Sequence, residues 1–167
     1  MKKVFVGLLF LFLHFKINGV DLLPAFVGYL LILVGMREER EYPSRRATGY
    51  LAAAGALATG LLWFWGIFGG ELPLPIGAFF QLLITYRLVL WAEEMSQAGE
   101  RARLLRKSWY VLTIGVALTF VLGLLELEAS SVAALLVSLG AAAYYIYNYY
   151  RLWKELEQKG PGDGLAA

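Results

Sequence analysis

Six stretches without a charged residue limit what this chain can fold into more than any other feature. They run from Val4 to Phe15, Leu22 to Met36, Ala47 to Gly70, Leu72 to Tyr86, Ser108 to Leu125 and Ala129 to Tyr150. The hydrocarbon core of a bilayer is about 30 Å thick and takes about 20 helical residues. Three of the runs meet that length as they stand, and the fourth reaches it by continuing past Arg87 to Ala92. The composition agrees: 59% of residues are hydrophobic and 17% charged, against about 25% charged in a soluble domain. The expected fold is all-α, a polytopic integral membrane protein.

The first two runs are shorter, and "HFKINGVDLLP" (14–24) lies between them. Read as one helix, residues 4–36 would extend roughly 50 Å at about 1.5 Å per residue, too long for one crossing. The chain therefore bends or breaks here, in one of two ways. In the first, Asn18-Gly19 makes a turn, Asp21 caps a second helix and Pro24 occupies its first turn. In the second, the break lies within the membrane, as in transporters whose interrupted helices line a binding site.

Charge placement bears on that choice. With two crossings in residues 1–36 the chain has six spans, and all of its 15 Lys and Arg except Lys16 and Arg87 fall on one side. The positive-inside rule makes that side, with both termini, cytoplasmic. The expected spans are about 3–17, 21–37, 48–68, 73–92, 108–126 and 131–151, arranged as three helical hairpins in one domain (1–159). A flexible Gly-rich tail follows at 160–167. Lys2 and Lys3 before an apolar stretch suggest a secretory signal, but no small-residue cleavage site follows, so the segment reads as a retained first span. The location implied is the bacterial cytoplasmic membrane.

Polar groups within or beside the spans are the candidate site residues, because they are costly in lipid. Arg87 lies shortly before Glu93 and Glu94 with Trp91 one turn away. It either snorkels to the headgroups or faces inward toward an anionic ligand or an acidic partner. Gln81 and Thr85, at i, i+4 on the same helix, either extend that polar stripe or bond to neighbouring helices. His14, Lys16 and Asp21 sit at the outer interface or line a vestibule there. In "YYIYNYYRLW" (144–153) the aromatic residues form an interfacial belt, or a stacking platform with Asn148 as a hydrogen-bonding partner.

Small residues recur at i, i+4 spacing along Ala52, Ala56 and Gly60, and along Ala134, Ser138 and Ala142. Such faces let helix backbones approach closely, within this chain or toward a second copy or another membrane protein. There is no cysteine and a single histidine, so no thiolate or histidine-rich metal site is expected. No cofactor is implied. No paired intramembrane carboxylates or nucleophile with its base suggest an enzyme. The net charge of +2 follows from topology and does not suggest nucleic-acid binding. The function expected is that of a structural, regulatory or partner-binding membrane subunit; the alternative is a small transporter or solute-binding component that uses Arg87 and its polar neighbours.

Two resemblances attach to particular residues. "INGVDLLPAFVGYLLILVG" (17–35) resembles the N-terminal hairpin of a group of small uncharacterised bacterial integral membrane proteins, with an Asn-Gly turn, Asp-Leu-Leu-Pro and a Gly-Tyr pair. An acid often follows the proline in that group, where this chain has Ala25. The resemblance implies membrane location and no activity. The six-span size also looks like the substrate-binding subunits of energy-coupling-factor vitamin transporters. Those dock their partner through small residues four apart on the first helix, whereas "VFVGLLFLFLHF" offers only Gly7.

Overall fold

A computed structural model describes residues 2–13, 16–17, 20–21, 24–38, 43–67, 76–96, 99–125 and 128–158. Among these residues the chain forms six helices: α1 (Lys2–Phe12), α2 (Ala25–Glu38), α3 (Pro43–Ile67), α4 (Ile76–Ser96), α5 (Glu100–Leu124) and α6 (Glu128–Gln158). Two short strands, β1 (Lys16–Ile17) and β2 (Val20–Asp21), lie between α1 and α2. Four stretches, Ser44–Gly66, Ile76–Met95, Glu100–Leu122 and Val132–Gln158, are long and apolar enough to cross a membrane. The chain divides into two compact units within α4, Met1–Trp91 and Ala92–Ala167.

In the first unit, α1 and α2 pack antiparallel. Gly7 faces Gly28 and Ile32, Gly35 faces Val4, and Lys3 is ion-paired with Glu38. The glycines allow main chain to meet main chain: a Cβ on Gly7 would stand 2.6 Å from the Gly28 carbonyl oxygen, and one on Gly28 would stand 2.7 Å from that of Gly7. In lipid, where apolar burial does not drive helices together, dispersion at such close approach is a main source of cohesion. Helix α3 continues the pattern against α2. Gly55 lies under the ring of the fully buried Tyr29, and Gly60 meets Phe26.

The described residues between α1 and α2 depart from the expected helices. Lys16–Ile17 pairs antiparallel with Val20–Asp21, in a register that sets Lys16 opposite Asp21. Asp21 therefore belongs to a strand and is not the cap of α2. The helix begins at Ala25, and the Pro24 carbonyl accepts a bond from the Val27 amide at 3.0 Å. The ladder uses backbone that helical spans 3–17 and 21–37 would need, so α1 stops at Phe12. With 11 and 14 residues, α1 and α2 are about 16 and 21 Å long at about 1.5 Å per residue. Asn18-Gly19, the expected turn, lies outside the described residues, as do "GGELPLP" (69–75), where the third and fourth expected spans would turn, and the 160–167 tail.

In the second unit, α5 and α6 pack antiparallel. The Thr119 and Ser138 hydroxyls share a hydrogen bond of 2.8 Å, Gly115 meets the Ser138 backbone, and Arg101 pairs with Glu155 at 3.4 Å. The linker at Gly99 accepts amide bonds from Ala102 and Arg103, which starts α5 with Glu100 in its first turn, where a carboxylate suits the helix dipole. Just before it, Arg106 of α5 is ion-paired with Glu93 at the end of α4.

Hydroxyl groups on the long helices are satisfied locally. Thr48, Thr59, Thr113 and Thr119 each donate to the carbonyl four residues back, on Ser44, Gly55, Trp109 and Gly115. Ser108 donates to Leu105. These bonds let polar residues sit in an apolar helix without an unmet donor.

Candidate functional site

Arg87 lies on the α4 segment whose Ile84, Thr85, Leu88, Val89 and Trp91 are all fully buried. It is half-buried itself. Its Nη2 reaches the Ser44 carbonyl, in the first turn of α3, at 3.5 Å, the outer limit of a hydrogen bond. That carbonyl already accepts the Thr48 hydroxyl at 2.8 Å. The Arg87 Nε and the Trp91 Nε1 are buried without a hydrogen-bond partner, as are the Tyr29 hydroxyl and the Arg106 Nε elsewhere in the chain.

Residues four apart on a helix lie on the same face. Arg87 and Trp91 thus place two buried N–H donors, one of them on a permanent cation, one turn apart with no acceptor for either. Leaving a buried donor unmet costs about 1–3 kcal/mol, and more when it is charged. A group that accepts hydrogen bonds and carries negative charge would offset both penalties. Glu93 does not serve this purpose, because it is paired with Arg106.

The other sequence candidates are placed differently. Thr85 is fully buried on α4, and its hydroxyl donates to the carbonyls of Gln81 (2.8 Å) and Leu82 (3.0 Å) of its own helix. Gln81 is half-buried one turn away. Lys16 and Asp21 are neighbours by strand register; their side chains, and the whole of His14, lie outside the described residues. Asn148 belongs to the second unit. It is buried there, and its Nδ2 donates to the Tyr144 carbonyl at 2.9 Å.

The aromatic belt around Asn148 divides by helix face. Tyr145 and Tyr149 are buried, while Tyr144, Tyr147 and Tyr150 are exposed. The Arg151 guanidinium lies 5.6 Å from the Tyr147 ring centre and the Lys154 ammonium 6.0 Å from that of Tyr150. The small-residue faces are engaged within the chain: Ala52 is fully buried and Gly60 meets Phe26, while Ala134 is buried and Ser138 bonds to α5.

Sequence reasoning assigned Arg37, Arg45 and Arg46 to topology alone. The fold gathers them around one cavity at the α2–α3 junction. Their spacing across the 37–46 link carried a weak signal, since a short connection between antiparallel helices brings its two flanks together.

No protein-family model, curated protein or solved structure matches the chain.

Proposed function

We propose that this is a solute-binding or transport component of a bacterial cytoplasmic membrane, not an enzyme, and that it takes an anionic ligand at Arg87. The observation that carries this reading is the pair of buried, unmet donors on Arg87 and Trp91. Arg87 is half-buried beside the first turn of α3, and it lacks an acidic side-chain partner among the described residues; a cation on an otherwise apolar helix is a candidate functional group. The topology that goes with this reading has six crossings in three hairpins with both termini cytoplasmic, which the charge distribution favours.

A structural or regulatory subunit is the second reading. It is favoured by the apolar surface that α5 and α6 leave uncovered, including Ile114 (67% exposed) and Leu136 (64%). The two readings separate at Arg87. Thermal unfolding of the full chain in detergent is followed with inorganic phosphate, succinate or, as control, chloride. Binding to the folded state raises stability by about 2.7 kcal/mol at a hundredfold excess over Kd. Phosphate or succinate is expected to stabilise the wild type and not Arg87→Leu, and Arg87→Leu without anion is expected to match or exceed wild-type stability, since an unmet buried charge has been removed. A strongly destabilised Arg87→Leu, together with no response of the wild type to either anion, would make Arg87 a structural group and leave the subunit reading.

A further inference from the structure

We infer that the cavity at the α2–α3 junction is a binding site for the phosphate headgroup of an anionic phospholipid. Its volume is about 390 Å³, within the range of about 300–1,000 Å³ for small-molecule sites. Arg37, Arg45 and Arg46 line it together with Leu33, Tyr50 and Ala53. One side is therefore cationic and the other apolar, which matches an amphiphile with a negative head.

The charged side is organised for an anion. α2 ends at Glu38 and leaves its last carbonyls without helical partners; Arg45, two residues into α3, donates from Nη2 to the Arg37 carbonyl at 2.7 Å. That bond fixes the Arg45 guanidinium beside the cavity and leaves its other N–H groups for a ligand. Neither Arg37 nor Arg46 has an acidic side-chain partner among the described residues, and Glu38 is paired with Lys3. Guanidinium groups match phosphate oxygens in bidentate geometry.

The apolar side is organised for an acyl chain. Gly49, Ala53, Leu57 and Leu61 follow at i, i+4 along one face of α3. Gly49 and Ala53 line the cavity and leave its volume open; Leu57 (68% exposed) and Leu61 (64%) continue the row away from it. A headgroup held by the arginines thus has its first chain directed along an exposed apolar track. A free phosphate would use the arginines and gain nothing from that track. The inference rests on the membrane placement of α3 and is independent of Arg87.

The test is native mass spectrometry of the full chain released from nanodiscs of mixed phosphatidylcholine and phosphatidylglycerol. Retained phosphatidylglycerol is expected on the wild type. Arg46→Gln should lower retention about five-fold, as expected for loss of about 1 kcal/mol per basic residue near an anionic surface. Arg46→Lys should lower it less, because charge is kept and the fork is lost. Ala53→Leu, which fills the cavity at an exposed position, should lower it with no change in charge, while Arg103→Gln, a control in the other unit, should leave it unchanged. Equal losses in Arg103→Gln and Arg46→Gln would reduce the effect to general surface charge and overturn the site. Displacement by inorganic phosphate at constant ionic strength, combined with indifference to Ala53→Leu, would overturn the lipid assignment in favour of a free phosphate. Unaltered retention in every variant would overturn both.

Discussion

The contact between Gly7 and Gly28 allows an ordinary helix substitution to be predicted with a reversed sign. Gly→Ala inside a helix normally stabilises by about 1 kcal/mol, because glycine has more backbone freedom to lose. At Gly7 the added Cβ would lie 2.6 Å from a backbone oxygen of α2 and 2.8 Å from the Ile32 side chain. Ordinary contact begins near 3.4 Å, so α1 and α2 must separate by up to about 0.8 Å. The obstacle is main chain, which cannot rotate away as a side-chain tip can. Overpacking of this kind costs about 1–3 kcal/mol, and subtracting the propensity gain leaves a loss of up to about 2 kcal/mol. Gly140, where an added Cβ would meet nothing within 4 Å, is the internal control, and Ala there should stabilise by about 1 kcal/mol. Unfolding by sodium dodecyl sulfate in mixed micelles, followed by circular dichroism, gives both values. Because the chain has no cysteine, a Lys3→Cys, Glu38→Cys pair adds a geometric readout: its disulfide should form more slowly when Gly7→Ala is present. If Gly7→Ala stabilised as Gly140→Ala does and left the disulfide rate unchanged, the close approach of α1 and α2 would be refuted.

Two further predictions concern the remainder of the chain. Asn18→Cys should react with a membrane-impermeant maleimide in intact cells, with the exposed Ala47→Cys, on the side expected to be cytoplasmic, as control; protection of Asn18→Cys until the membrane is disrupted would place the β1–β2 segment within the membrane and reduce the crossings to four. Thr119→Val and Ser138→Ala, combined in a double-mutant cycle, should show a coupling of about 0.6 kcal/mol, the average for hydrogen bonds between membrane helices. Strict additivity would mean that the Thr119–Ser138 bond adds nothing to the α5–α6 contact.

Much of the candidate site was legible in the chain, though not its meaning. Arg87 stood out because a permanent cation in an apolar run is expensive wherever it points, and Trp91 was visible one turn away. That both carry unmet N–H groups depends on what packs against α4, and the Ser44 carbonyl within reach of Arg87 is forty-three residues distant in sequence. Thr85 illustrates the opposite outcome: its spacing from Gln81 suggested a polar stripe, but the same spacing lets it bond to the Gln81 carbonyl in its own helix.

What the sequence determined by itself is the helical, membrane-compatible class, because uncharged runs of that length can satisfy their backbone in lipid only as helices or closed barrels, and period and composition here favour helices. It also located the interruption at residues 14–24, since Gly19 and Pro24 are poor helix interiors. Only the tertiary structure decided that β1 and β2 occupy that interruption and displace Asp21 from the cap, because strand pairing needs two segments to meet. It likewise decided that Gly7 pairs with Gly28 and that three arginines surround one cavity. Each of those depends on the register between packed helices, which no single segment encodes.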